Sequence, residues 1–112
     1  MGYEKLSKMI DVRVQELRSL IDDITTETFP KKALKFESIK MDFNKLIVAG
    51  HSFGGGTAIK AASRDFRVRC VLTLDPYLHP FHEEINSGNF KIPNHVPVLL
   101  LNTESFHELM SF

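Results

Sequence analysis

The 112-residue sequence is short of several things, and each shortage removes a class of protein. It has one cysteine, Cys70, so an internal disulfide is excluded and a reducing compartment is suited. It has no excess charge: Lys plus Arg and Asp plus Glu number 14 each. That balance gives no electrostatic case for a nucleic acid or an anionic membrane surface. No apolar run approaches the length of a membrane span. The opening, MGYEKLSKMI, mixes charges among apolar residues and lacks the apolar core of a secretory signal, which leads to an expectation of a cytoplasmic chain. Met1-Gly2 would suit N-myristoylation, but Leu6 stands where Ser or Thr is required. Repeats and low-complexity segments are also lacking. What remains is one small domain of ordinary hydrophobic content, 43%.

The residues present read as an α/β pattern. Over residues 4–25, Leu6, Ile10, Val14, Leu17, Ile21 and Ile24 recur in steps of three and four, with charges on the opposite side. That spacing predicts an amphipathic packing helix. Phe29-Pro30 ends the pattern, and residues 25–45 read as a connector. Three apolar runs follow: Leu46–Ala49, Cys70–Leu74 and Val96–Leu101. They do not alternate with polar residues, so they predict parallel strands buried on both faces. Between the first two lies GGGTAIKAAS, small-residued and compatible with a crossover helix.

The chemistry-bearing stretch is Gly50-His51-Ser52-Phe53-Gly54, a G-x-S-x-G pattern directly after an apolar run and directly before the small-residue helix. A serine at a sharp strand-to-helix turn has an exposed hydroxyl and a strained backbone. The tight fold-back predicts crowding at Gly50 and Gly54, where side chains would clash. Ser52 is the candidate nucleophile, and the Phe53 backbone N–H the candidate oxyanion donor. Phosphate loops are poorly supported, since neither G-x-G-x-x-G nor G-x-x-x-x-G-K-[ST] occurs. His51 points away from its neighbour on such a turn and reads as packing rather than as the base. For the acid, Asp75 and Glu104 both follow apolar runs, at the strand ends where open α/β sheets place their chemistry.

These residues carry a resemblance. GHSFGG, RDFRVRCVLTLDPYLHP and VPVLLLNTESF together resemble the platelet-activating factor acetylhydrolase family over roughly residues 10–107. The resemblance implies a serine-dependent, calcium-independent phospholipase A2 with an α/β-hydrolase fold and no cofactor or metal. It implies Ser52 as nucleophile, Asp75 as acid, and Glu104 as a structural residue, with Thr103 standing where the family has Ser. It also implies that the catalytic histidine is not in this chain. His79 and His82 lie too close to Asp75 in sequence, His95 precedes a strand, and His107 occupies a site the family does not use. The implied substrate is a phospholipid with an sn-2 acetyl or a short or oxidised acyl group, met at a membrane or lipoprotein surface.

The sequence is accordingly expected to be a central piece of the hydrolase: three mostly parallel strands with flanking helices. Earlier strands, a second oxyanion donor and the histidine segment are expected to lie outside it, and its strands to leave apolar edges. HPFHEE matches no zinc spacing and is expected to be a solvated loop. Tyr77, Leu78 and Phe81 are expected at the surface, with the border of a lipid pocket as their functional reading. Two alternative functions stand beside hydrolysis: a catalytically inactive remnant or binding module, and a general carboxylesterase using Glu104.

Overall fold

In a computed structural model of the chain, residues 2–26, 35 and 40–106 are described. Helix α1 spans Tyr3–Ile24. A short 3-10 turn, Phe43–Lys45, leads into strand β1, Ile47–His51. Helix α2 is Phe53–Arg64, followed by strand β2, Cys70–Leu74. A 3-10 turn at His79–Phe81 and a short helix α3, His82–Asn86, precede strand β3, Val98–Leu101. The three strands form one sheet in the order β1-β2-β3, and both pairings are parallel. The chain thus has the α/β architecture of parallel strands and flanking helices.

The stripe predicted for α1 is its buried face. Leu6, Ile10, Val14 and Ile21 are buried, with Leu17 partly so. Complete burial of a side chain such as Ile10 is worth about 2 kcal/mol. Helix α2 is wedged between α1 and the sheet, and every residue from Gly55 to Ala62 is buried. Only small residues permit such an approach on several sides. Ile59 and Lys60 are the larger exceptions within that run, Lys60 at 0% exposure. Its ammonium lies 2.7 Å from Asp11 Oδ1 of α1 and 3.0 Å from Glu84 Oε1 of α3, above the Phe81 ring. Two carboxylates from separate helices compensate the buried charge.

A second charge cluster fixes the α2–β2 junction. The buried Asp65 accepts from the Arg67 backbone N–H at 3.0 Å and from Arg67 Nε and Nη2 at 2.9 and 2.7 Å. The Arg67 guanidinium holds the Asp65 carboxyl at about 2, well below the usual carboxylate range. Asp65 and Asp22 in turn push the Arg67 guanidinium up. Nη1 of Arg67 reaches Asp22 Oδ1 at 2.7 Å, joining the junction to α1.

Two sequence expectations are corrected. The strands, apolar nearly throughout, were expected to be buried on both faces. Among the described residues only one face is covered: Val48, Val71 and Thr73 are buried beneath the helices. Ile47, Leu72, Leu74, Leu99 and Leu101 face the other way and are exposed. The second correction concerns HPFHEE and Phe81. Pro80 and Phe81 are fully buried rather than solvated, and Phe81 joins the core, packing on Phe90. Tyr77 and Leu78 are half-buried.

Candidate active site

Ser52 stands alone between the end of β1 and the start of α2, with φ 55° and ψ −117°. A non-glycine residue in that region carries strain on the order of 1–3 kcal/mol. The surrounding backbone holds it there. The Ser52 N–H donates to Leu74 O at 3.0 Å, and the Ser52 carbonyl accepts from Gly56 N–H at 3.1 Å and Tyr77 N–H at 2.8 Å. The Ser52 hydroxyl makes no capping hydrogen bond to α2. Phe53 is the first residue of α2, so its N–H belongs to the leading donors that a helix cannot satisfy internally. The Arg13 guanidinium lies 5.1 Å from the centre of the Phe53 ring and packs α1 against the turn.

Asp75 follows β2 directly and also has a left-handed backbone, φ 46°. His51 and Leu74 are register partners on neighbouring strands, so Ser52 and Asp75 are the next residues along adjacent strands. Neighbouring strands lie about 4.8 Å apart. The Asp75 N–H donates to Leu101 O at 2.9 Å, which extends the ladder past the strand end. Its carboxylate accepts from Thr103 N–H at 2.6 Å on Oδ1 and from the Thr103 hydroxyl at 3.1 Å on Oδ2.

The glycine run divides differently from the sequence expectation. A Cβ at Gly50 would lie 2.2 Å from the Gly54 carbonyl oxygen, so position 50 admits no side chain. A Cβ at Gly54 would meet nothing within 4 Å, and crowding at that position is corrected. The fold-back presses the Gly54 carbonyl toward residue 50, while residue 54's own Cβ direction is open. The second forbidden position is Gly56, where a Cβ would lie 2.2 Å from the Tyr77 carbonyl oxygen. Gly55 is tight as well, with Pro76 Cα at 3.0 Å. These glycines let the loop after Asp75 rest directly on the helix after Ser52.

The other candidates lie apart. His51, expected to pack, is exposed on the open sheet face. Its place at an odd position of β1, beside Ala49 and Ile47, puts it on the side no described helix covers. His79 and His82 stack on each other with ring centres 4.7 Å apart, and Tyr3 of α1 meets both edge-on. His95 is exposed ahead of β3, and Glu104 is exposed beyond its end. His107 lies outside the described residues. Among the described residues, no three His, Cys, Asp or Glu side chains gather as a metal would require. Sequence reasoning missed Gly56, noted Thr103 only as standing where the family has Ser, and read Tyr77 as a surface residue or pocket border rather than as a contact of Ser52. A hydroxyl residue two positions past an apolar run, matching a Ser of the family pattern, acquires its meaning only when Asp75 lies opposite.

Comparison with known proteins follows the same residues. The family model described as platelet-activating factor acetylhydrolase, isoform II, matches residues 7–112. The platelet-activating factor acetylhydrolase of Cavia porcellus is 42% identical over 66 residues, which is 59% of this chain and 14% of that protein. Those of Bos taurus and Gallus gallus are 39% and 33% identical over 66 residues, again 59% of this chain and 14% and 15% of theirs. The matched segment thus spans about one-seventh of these relatives. With the match reaching from α1 through β3 and beyond, the chain belongs to the platelet-activating factor acetylhydrolase, isoform II, family.

Proposed function

We propose that the chain carries the nucleophile and acid of a serine esterase that cleaves the sn-2 acetyl, or a short or oxidised acyl group, of platelet-activating factor-like phospholipids. The observation that supports this best is the left-handed Ser52 at a strand-to-helix turn, tied by backbone hydrogen bonds to both sides of Asp75. The family and the names of its relatives support the substrate class.

In this reading Ser52 Oγ attacks the acyl carbonyl while an imidazole takes its proton. Asp75 holds that imidazole in the tautomer with its accepting nitrogen toward Ser52. The Phe53 N–H donates to the oxyanion. Collapse of the tetrahedral intermediate returns the proton to the departing glycerol oxygen and leaves an acyl-serine. Water, deprotonated by the same imidazole, then releases the carboxylic acid. We assign the base to none of His51, His79, His82, His95 and His107: His51 is exposed on the uncovered sheet face, His79 and His82 stack on each other against Tyr3, His95 is exposed ahead of β3, and His107 occupies a site the family does not use. Thr103 hydrogen bonds converge on Asp75 rather than Glu104, which favours Asp75 as the acid. The phospholipid is met at a membrane or lipoprotein surface, and among the described residues no helix is long and apolar enough to cross a membrane.

The test is labelling with a fluorophosphonate probe, with and without added imidazole. The 112-residue chain by itself should label slowly, and imidazole should accelerate the reaction at Ser52, located by peptide mass spectrometry. Ser52→Ala should remove the label, and Asp75→Asn should remove most of the imidazole effect, whereas Glu104→Gln should not. Labelling that persists in Ser52→Ala, or that ignores imidazole, rejects the proposal and favours a non-catalytic chain.

A further inference from the structure

We infer that Thr103 is the residue that fixes the orientation of the Asp75 carboxylate, and so positions the acid for the imidazole it would hold. The inference rests on the reading of Ser52 and Asp75 given above. An ionised carboxylate offers about four acceptor sites on two oxygens. Thr103 occupies one on each: its N–H reaches Oδ1 at 2.6 Å, and its hydroxyl reaches Oδ2 at 3.1 Å. Rotating the carboxylate about its last side-chain bond would break both contacts together. The polarity of the hydroxyl is settled by its other neighbour. Phe106 N–H donates to Thr103 Oγ1 at 3.3 Å, which uses a lone pair and leaves the hydroxyl hydrogen for Asp75.

The backbone makes this grip rigid. Asp75 N–H donates to Leu101 O, so Asp75 is docked on the end of β3 two residues before Thr103. The left-handed turn at Asp75 departs from the strand path at the residue Thr103 grips. On the other side, Tyr77 N–H reaches the Ser52 carbonyl, so the acid is fixed toward β3 and the nucleophile toward the loop that follows the acid. The ends of three strands are thereby linked in one chain of contacts: Ser52 to Leu74 and Tyr77, then Asp75 to Leu101 and Thr103. Replacing the Thr103 hydroxyl by a methyl group of similar size leaves Oδ2 without its donor. The carboxylate is then held at one oxygen only and can turn.

Thr103→Val and Thr103→Ser separate this role from packing. Both are compared with wild type in the 112-residue chain by the imidazole-dependent rate of fluorophosphonate labelling and by the urea unfolding midpoint. Thr103→Val should lose on the order of tenfold in the imidazole-dependent rate, the usual worth of one hydrogen bond to a charged group. Thr103→Ser should stay within about threefold of wild type, with little change in unfolding midpoint for either. Labelling of Thr103→Val at the wild-type rate, or an equal loss in Thr103→Ser, overturns the inference. A second readout does not need catalysis. The Thr103 amide proton should resonate downfield and move upfield in Asp75→Asn, as a charge-assisted bond weakens. If wild-type Ser52 never labels, the hydrolase reading fails while this resonance still decides the grip: a shift in Asp75→Asn upholds it, and an unmoved resonance ends it.

Discussion

Gly54 and Gly56 sit two residues apart in the same helix, and alanine should act on them in opposite directions. At Gly56 the added carbon would lie 2.2 Å from the Tyr77 carbonyl oxygen. Contacts of this kind below 3.0 Å are essentially never tolerated, so the loop must retreat by roughly 0.8 Å. A retreat of that size along the Tyr77 N–H···O Ser52 bond, now 2.8 Å, takes it past hydrogen-bonding distance. Losing that bond costs about 1 kcal/mol, and disturbing the fully buried Pro76 beside it adds about 1–2 kcal/mol. The helix preference of alanine over glycine returns up to about 1 kcal/mol. The net cost of Gly56→Ala is therefore about 1–2 kcal/mol, a fall in melting temperature of roughly 5–15 °C for a domain of this length. At Gly54 nothing lies within 4 Å of the added carbon, so only the helix preference remains. Gly54→Ala should leave stability unchanged or raise it by up to about 1 kcal/mol. Thermal unfolding followed by far-ultraviolet circular dichroism reads both. Equal effects of the two substitutions, or a stabilising Gly56→Ala, would refute the argument that the loop after Asp75 rests on the helix after Ser52.

The strain at Ser52 predicts that Ser52→Gly raises stability by roughly 0.4–1 kcal/mol in urea unfolding, because glycine adopts φ 55° freely, while fluorophosphonate labelling disappears. A destabilised Ser52→Gly would mean that the turn is not strained. The Asp65–Arg67 pair sets an acid limit on stability. The Asp65 carboxyl titrates at about 2 in the folded chain against 3.8 ordinarily, so its contribution of about 2 kcal/mol is complete above pH 4 and is lost as the pH falls through about 2. Asp65→Asn should accordingly lower the urea midpoint at pH 7 and converge with wild type near pH 2; a gap that stays constant from pH 7 to pH 2 would contradict this.

Much of this protein was legible along the chain. Periodicity placed α1 to within a residue or so at each end, because a helix on a core must repeat its apolar positions every three to four residues. The apolar runs and the small-residue segment between them determined parallel strands with a crossover helix. Gly-x-Ser-x-Gly after a strand determined where the sharp turn would fall, since Gly50 alone leaves room for the returning Gly54 carbonyl. Tertiary structure decided the rest, and each case involves a partner distant in sequence. Gly56 is forbidden to side chains by Tyr77, and Asp75 is gripped by Thr103, 28 residues further on. Lys60 is buried because Asp11 and Glu84 arrive from two other helices. The apolar pattern of the strands states that both faces suit burial, but only the placement of α1 and α2 on one side determined which face the described residues cover. Local pattern encodes what a segment does with its own backbone and its own faces; which groups meet across the sheet depends on register and on how the loops fold back, and those are set only when the strands pair.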